Sequence, residues 1–550
     1  MLTLLKRISS QTIKFNWKSG VTVALVSLPL SISLAIASQT TPIAGIITAI
    51  WAGLIASFFG GSNYNIVGPT GALSGVLATY AIAHGAQALP LLAVFSGIFI
   101  LIAYLLRLEK FLNFVPGSTI QGFTLGVATI IGFNQLNFAL GLSGLEKHEK
   151  FVDNIVESFA HVSQMSGVTF VIFIIFLVGL FLFLKFLPRI PGAILLTPLG
   201  ILLGYASQAG WLPFKLQTLG TLFGDIKPLL FISPSFVFDR SIFSSALTIA
   251  VIAILETMIS AKIADGMTKT RHNARKEIFG LGVANIFSGL MGGIPATAAL
   301  ARTSVNINNG ATDRVSALIS SISIGIISFA LLSFFKFIPM AVIASILVFA
   351  AIRMVETHKL RHMATHDKKG IGLAALVFAV TVYEDPLIGI LLGTLISLVI
   401  FADRLSRGQF EMVMNDTAKG VIGRVSDEKL AKLIPDHNTL VYSIKGILTY
   451  LNGQAHISRL LHTKGSQRHI VLRLRELYFI DSDGIQVLDE IIELIRDQKK
   501  DVILTGVSVG VGKRLLAESK EYAYLHGAGK VFEKTIDALT NLGYTPNSTI

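Results

Sequence analysis

The sequence predicts a polytopic α-helical membrane domain followed by a smaller soluble α/β domain, and three observations carry that prediction. Of 550 residues, 52% are hydrophobic and only 14% charged, with a mean hydropathy of +0.67, which is too apolar for an ordinary soluble chain. Apolar, nearly charge-free runs of about membrane length recur as far as Phe401 and then stop. Two of those runs are broken in the same manner, by FGGSNYNIVGPTGA (59–72) and by MGGIPATAALARTSVN (291–306).

The runs at 168–186, 316–335, 370–382 and 387–401 show the unbroken pattern, each approaching the roughly 20 residues that a spanning helix needs. Counted along the chain they amount to about twelve full spans plus two interrupted ones. The net charge of +13 is concentrated in short segments between apolar runs: Lys6, Arg7, Lys14 and Lys18; Lys269, Arg271, Arg275 and Lys276; Lys359, Arg361, Lys368 and Lys369. By the positive-inside rule these segments and both termini face the cytoplasm, which explains the charge without a nucleic-acid partner. The N-terminus lacks an apolar stretch ending in an A-x-A cleavage pattern, so no cleaved signal peptide is expected. The chain has no cysteine, which excludes disulfides, thiolate metal sites and cysteine nucleophiles.

In each broken run a glycine pair, a proline and small residues interrupt a segment too apolar to be a surface loop. Irregular backbone at membrane depth is tolerated where it is buried in protein or lines a cavity, and paired broken helices in corresponding halves of a chain point to a midplane binding site. A second echo supports an internal repeat: LNFVPGS (112–118) and FKFIPMA (335–341) follow the two breaks at similar separations. Half-helices starting near Pro69 and Pro295 would present unpaired amides and partial positive charge, and two such ends facing each other make an anion site. Gly71, Ala72, Ala296 and Ala298 let a ligand approach the backbone, while Thr70, Ser74, Thr297 and Thr303 can add hydroxyl donors.

Two intramembrane charges stand out, because such groups are costly unless they face protein or water. Arg302, seven residues past Pro295 and so about two turns into the second half-helix, is either a cation at the anion site or a structural partner for Glu256. Glu256 lies well inside the run that starts near Ile242. It can carry a proton, help to ligate Na⁺ with hard oxygen donors, or pair with Arg302 or Lys262. Ser260, one turn on, shares its face.

Past Phe401 charged residues arrive together, and short β-like runs (440–447, 469–474, 502–507) alternate with amphipathic stretches such as 485–496, the pattern of an α/β domain. Its first helix is expected to begin after Gly453. The chain therefore divides into an N-terminal cytoplasmic segment (1–18), a transmembrane domain (19–405), a linker (406–436) and a cytoplasmic C-terminal domain (437–550).

The ordered stretches PLSISLAIAS (29–38), FGGSNYNIVGPTGA, ISAKIADGMTKTRHNARKEIFGLGVANIFSG (259–289) and GGIPATAALARTSVNINNGA (292–311) resemble the SulP, or sulfate permease, family of inorganic anion transporters, and the C-terminal region resembles its STAS domain. The resemblance covers nearly the whole chain. It implies fourteen transmembrane segments in a 7+7 inverted repeat of core and gate domains, a homodimer, and a substrate held between the third and tenth segments. It assigns anion contacts to Gly68, Pro69, Thr70, Ala301 and Arg302, with Thr303 beside them. Glu256 and Ser260 fall where sodium-coupled bicarbonate members carry Asp and Thr as cation ligands, a departure that leaves Na⁺ and H⁺ both open.

In ELYFIDSDGIQVLDE (476–490) the related anti-sigma antagonists carry Asp-Ser-Ser-Gly with a phosphorylated second serine; here that position is Asp483, flanked by Asp481 and Ser482. The segment is thus either a regulatory site for a cytoplasmic partner or simply a helix N-cap. VSVGVGKR (507–514) lacks the phosphate-loop spacing, and no catalytic triad or metal cluster is apparent. The expectation is a secondary-active carrier, not an enzyme, for a small inorganic anion of the bicarbonate or sulfate class in a bacterial inner membrane, without a cofactor beyond a coupling Na⁺ or H⁺. A proton-coupled dicarboxylate carrier, a passive anion channel and a membrane-anchored regulatory scaffold are the alternatives.

Overall fold

The structure is a computed structural model that describes residues 9–146, 148, 150–187, 192–225, 227–234, 239–384, 386–413, 438–461 and 467–543. Lys6, Arg7 and most of the expected linker lie outside the described residues. The chain divides into two units, residues 1–396 and 397–550.

The first unit is helical apart from one two-residue pair of strands. Among the described residues nine helices are long and apolar enough to cross a membrane, fewer than the dozen read from hydropathy. Other apolar runs form shorter helices, such as Gly192–Gln208 and Ala274–Leu290, each of 17 residues. The break expected in the first interrupted run is present. Helix Pro42–Phe59 stops at Gly60, and the chain then runs irregularly to strand β1 (Val67–Gly68) and helix Gly71–His84. In the second, helix Ala274–Leu290 gives way to strand β2 (Thr297–Ala298) and then to helix Leu300–Asn308. Helices Ala274–Leu290 and Leu89–Leu105 approach closely because glycine faces glycine: a Cβ on Gly97 would lie 2.6 Å from the Gly282 carbonyl oxygen. Small residues permit such contact where lipid supplies no hydrophobic drive between helices.

The half-helices differ from expectation in where they begin. Their first residues are Gly71 and Leu300, with Thr70 and Ala299 as N-caps, so neither Pro69 nor Pro295 occupies the first helical position. Residues 297 and 298 are drawn into pairing with β1, which delays the second helix. As a result Arg302 lies in its first turn instead of two turns along.

The second unit contains a six-stranded sheet ordered β3-β4-β5-β7-β8, with β6 also pairing β4. The strands are β3 (Gln409–Val413), β4 (Thr439–Leu448), β5 (His469–Arg473), β6 (Leu477–Ile480), β7 (Asp501–Thr505) and β8 (Val531–Phe532). β3 is antiparallel to β4 and the other pairings are parallel. Helix Ser482–Asp497 buries Ile485, Leu488, Ile491, Ile492 and Ile495, the apolar stripe read from the sequence. The first helix after β4 spans Tyr450–Leu461, starting before Gly453. Gly453 is inside it because the helix packs tightly on Ser482–Asp497; a Cβ there would meet Val487 Cγ2 at 2.5 Å.

Within this unit His456 is fully buried, 2.8 Å from the Tyr442 hydroxyl through Nδ1. Burial, and then the Arg459 cation, hold its pKa down at about 4 from 6.5. The unfolded chain therefore binds the proton more readily between those values, and the stability His456 confers as a neutral group is complete above pH 6.5 and is lost as pH falls toward 4. The expected loss is about 3 kcal/mol. It is measured as hydrogen-exchange protection of β4 amides in the full chain, corrected for intrinsic exchange.

Candidate functional site

β1 and β2 cross as an antiparallel pair, Val67 opposite Ala298 and Gly68 opposite Thr297, so the two interruptions meet and each leads into a half-helix. Thr70 forms no side-chain cap on the first half-helix, because its hydroxyl donates to Glu256 Oε2 at 2.9 Å. Ala299 has no side-chain oxygen with which to cap the second. Both N-termini therefore keep first-turn amides free of side-chain capping, the arrangement that attracts negative charge.

Arg302 is 1% exposed. Its Nη2 donates to the Pro69 carbonyl oxygen across the crossover, while Nε and Nη1 find no hydrogen-bond acceptor among the described residues. Leaving buried guanidinium donors unmatched is costly. Among the described residues no ion pair joins Arg302 or Lys262 to Glu256, so the purely structural pairing considered from the sequence is not formed. Gly68 is what makes room for the guanidinium: a Cβ at that position would sit 2.7 Å from Nη1. Gly68→Ala is expected to displace the guanidinium and cut transport at subsaturating anion by roughly tenfold, with little change in thermal stability; uptake and unfolding assays on the variant check both.

Polar side chains replace the helix bonds missing on either side of the crossover, as backbone at this depth requires. Glu277, 4% exposed, accepts from the amides of Gly61 and Ser62 at 2.6 and 2.7 Å and from Asn65 Nδ2 at 2.7 Å. Asn285 accepts from the Ala296 amide at 2.8 Å and donates to its carbonyl at 2.9 Å. Thr48 accepts from the Ile294 amide at 2.7 Å, and the Thr257 and Thr297 hydroxyls meet at 2.8 Å. Apart from Thr297, sequence reasoning missed these residues. Glu277 was hidden in a basic segment, and the only signal for Asn285 and Thr257 was a polar residue inside an apolar run.

Of the residues singled out from the sequence, the crossover brings together Gly68, Pro69, Thr70, Arg302 and Glu256, and Ala301 lies in the same first turn as Arg302. Thr303 and Ser260 belong to the brace. Thr303 Oγ1 accepts from the Ile66 amide at 3.2 Å, and the Ser260 hydroxyl reaches Asn65 Oδ1 at 3.0 Å and Thr303 Oγ1 at 3.1 Å. Ser260 therefore shares no partner with Glu256. In the second unit Asp481 caps helix Ser482–Asp497 by accepting from the Gly484 amide at 2.7 Å. The Ser482 hydroxyl accepts from Arg514 at 3.1 Å, and Asp483 is exposed in the first turn.

A cavity of about 900 Å³ lies beside the crossover and not on it. It is lined by Gly75, Thr79 and His84 of the first half-helix and by Ser244, Ser245 and Thr248 of helix Ile242–Thr268, among others. Gly75 is five residues beyond Thr70, roughly 7–8 Å of helical rise.

Comparison with known proteins gives a consistent picture. The sulfate permease family model matches residues 14–381 and the STAS domain model matches residues 431–521. A putative sulfate transporter of Bacillus subtilis, YvdB, is 31% identical over 494 residues, covering 89% of this chain and 90% of its own. The bicarbonate transporter BicA of Picosynechococcus is 25% identical, covering 94% and 92%. Among solved structures, murine Slc26a9, described as an anion transporter in the inward-facing state, superposes with a TM-score of 0.84 at 14% identity over 99% of this chain and 94% of that one. The transmembrane domain of a cyanobacterial BicA gives 0.58 at 22% identity over 71% and 98%.

Proposed function

This chain belongs to the sulfate permease family, and from that premise we propose that it carries out secondary-active transport of a small inorganic anion of the sulfate or bicarbonate class, driven by Na⁺ or H⁺. Members of the family are transporters and not enzymes, and the chain is an integral membrane protein. The observation that carries the reading is the β1–β2 crossover, which joins two uncapped helix N-termini to a buried guanidinium with two unmatched donors. An oxyanion held there would receive backbone amides near Thr70 and Ala301 and the Nε and Nη1 donors of Arg302, with Gly68 and Pro69 forming the wall.

Glu256 supplies the coupling in this proposal. Its carboxylate is bonded to Thr70, the cap of the half-helix that holds the anion, so an uncompensated negative charge there opposes anion binding. A proton or a Na⁺ on Glu256 removes that opposition, and anion and cation then bind together. Thr70 Oγ1 and the Glu256 oxygens are the hard donors a Na⁺ would use; Ser260 bonds Asn65 and Thr303 in the brace. Alternating access would move this assembly between the two sides of the membrane. The two breaks act as matching positions of an inverted repeat, both termini face the cytoplasm of a bacterial inner membrane, and the chain works as a homodimer.

Uptake by purified protein in proteoliposomes tests the reading. Labelled sulfate or bicarbonate should accumulate against its gradient when Na⁺ or H⁺ is imposed. Flux without accumulation would indicate a passive channel, preference for a dicarboxylate would indicate the organic-anion alternative, and absence of flux would overturn transport.

A further inference from the structure

Helix Thr357–His366, between Met340–Met354 and Lys368–Tyr383, buries none of its residues. Its sequence THKLRHMATH sets His358, His362 and His366 at intervals of four, so the three imidazoles share one face, each a turn from the next. All three are exposed. The rings of His362 and His366 already stack, with centroids 4.6 Å apart and planes 16° apart.

His366 Nδ1 lies 2.6 Å from Thr365 Oγ1 and 3.2 Å from the His362 carbonyl oxygen, and Thr365 Oγ1 lies 3.1 and 3.0 Å from the carbonyls of Arg361 and His362. In the tautomer protonated at Nδ1, the His362 carbonyl accepts that N–H and Nε2 is the basic nitrogen, which is the outer support that metal-binding imidazoles commonly have.

We propose that His362 and His366 form a site for a borderline divalent transition-metal ion of the Cu²⁺, Ni²⁺ or Zn²⁺ class. The stacked rings hold their in-plane lone pairs nearly parallel; a turn of each ring about its Cβ–Cγ bond aims both at a single ion, as imidazoles one helical turn apart permit, and imidazole suits these metals. No group of three or more His, Cys, Asp or Glu is arranged to hold a metal among the described residues, so the site is an open two-ligand edge completed by water and exchanges its ion readily. The nearby cations Lys359, Arg361, Lys368 and Lys369 oppose binding through charge alone, which disfavours Ca²⁺ and Mg²⁺ and leaves coordinate bonding as the source of affinity. The helix is anchored at its start, where Glu356 accepts from Gln121 at 2.9 Å and pairs with Lys359 at 2.5 Å. An ion clasping its last two turns would stiffen the connection between the flanking helices.

The test uses the full-length protein with all tag histidines removed, titrated with Cu²⁺ and followed by electron paramagnetic resonance with echo modulation to count bound imidazoles. One equivalent with two imidazoles is expected in the wild type and in His358→Ala, with at least tenfold weaker binding in His362→Ala and His366→Ala. The substitutions are on the surface, and an unchanged unfolding temperature confirms that the variants fold. Wild-type affinity no greater than that of His362→Ala, or a loss in His358→Ala as large as in His366→Ala, would overturn the assignment.

Discussion

Replacing Arg302 with glutamine is expected to weaken anion binding by roughly 10- to 150-fold, the effect of removing a charged hydrogen bond worth about 1.5–3 kcal/mol. The side chain is buried, bridges to the Pro69 carbonyl and has two donors without acceptors, so its interaction with a bound anion is not diluted by solvent. Arg302→Lys keeps the charge but not the planar fork, and a single ammonium cannot reach the Pro69 carbonyl and an anion in the same geometry. The lysine variant should recover only part of the loss. Anion affinity by calorimetry, with unfolding temperature as a control, separates this result from misfolding. Affinity within about threefold of wild type in both variants would remove Arg302 from the site.

Glu256→Gln is expected to separate anion movement from the cation gradient. The amide retains an oxygen for the Thr70 hydroxyl, so the contact at 2.9 Å can persist, while the charge that a proton or Na⁺ would compensate is gone. Repulsion between an ionised Glu256 and an anion some 4–8 Å away amounts to roughly 2–4 kcal/mol at an effective dielectric near 20. The variant should therefore bind anion at least as well as wild type without the cation, and exchange anion across the membrane, while its accumulation ratio under an imposed Na⁺ or H⁺ gradient falls to the uncoupled value. Full cation-driven accumulation in the variant would exclude Glu256 from coupling.

The breaks were legible because glycine pairs and prolines inside apolar runs leave few alternatives, and Pro69, Thr70 and Arg302 could be named because they lie within or just beyond those breaks; Gly68 came from the family resemblance. The start of the second half-helix was not legible. It depends on Thr297 and Ala298 pairing with residues some 230 positions earlier, and a two-residue strand leaves no periodicity. For the same reason Arg302 was expected too deep along its helix. Ser260 was read from its spacing to Glu256, but spacing gives a shared face and not a partner, and the partners are Asn65 and Thr303. Glu277 accepts from Gly61, Ser62 and Asn65 beside the crossover, yet its place among four cations in the sequence gave no sign of a buried carboxylate. In the C-terminal unit the alternation of strands and amphipathic helices was plain. Gly453, normally a boundary signal, was overridden by close packing against Val487.

In the proposed function an anion sits where the two half-helix N-termini meet Arg302. The most direct measurement is a crystal or cryo-electron structure of transport-competent protein with a heavy anion, selenate in place of sulfate or bromide in place of a smaller halide. The expected result is density for the anion within hydrogen-bond distance of the Arg302 guanidinium and the first-turn amides after Thr70, absent in Arg302→Gln. A saturated anion seated elsewhere, with the crossover unchanged and no density beside Arg302, would overturn this placement of the anion.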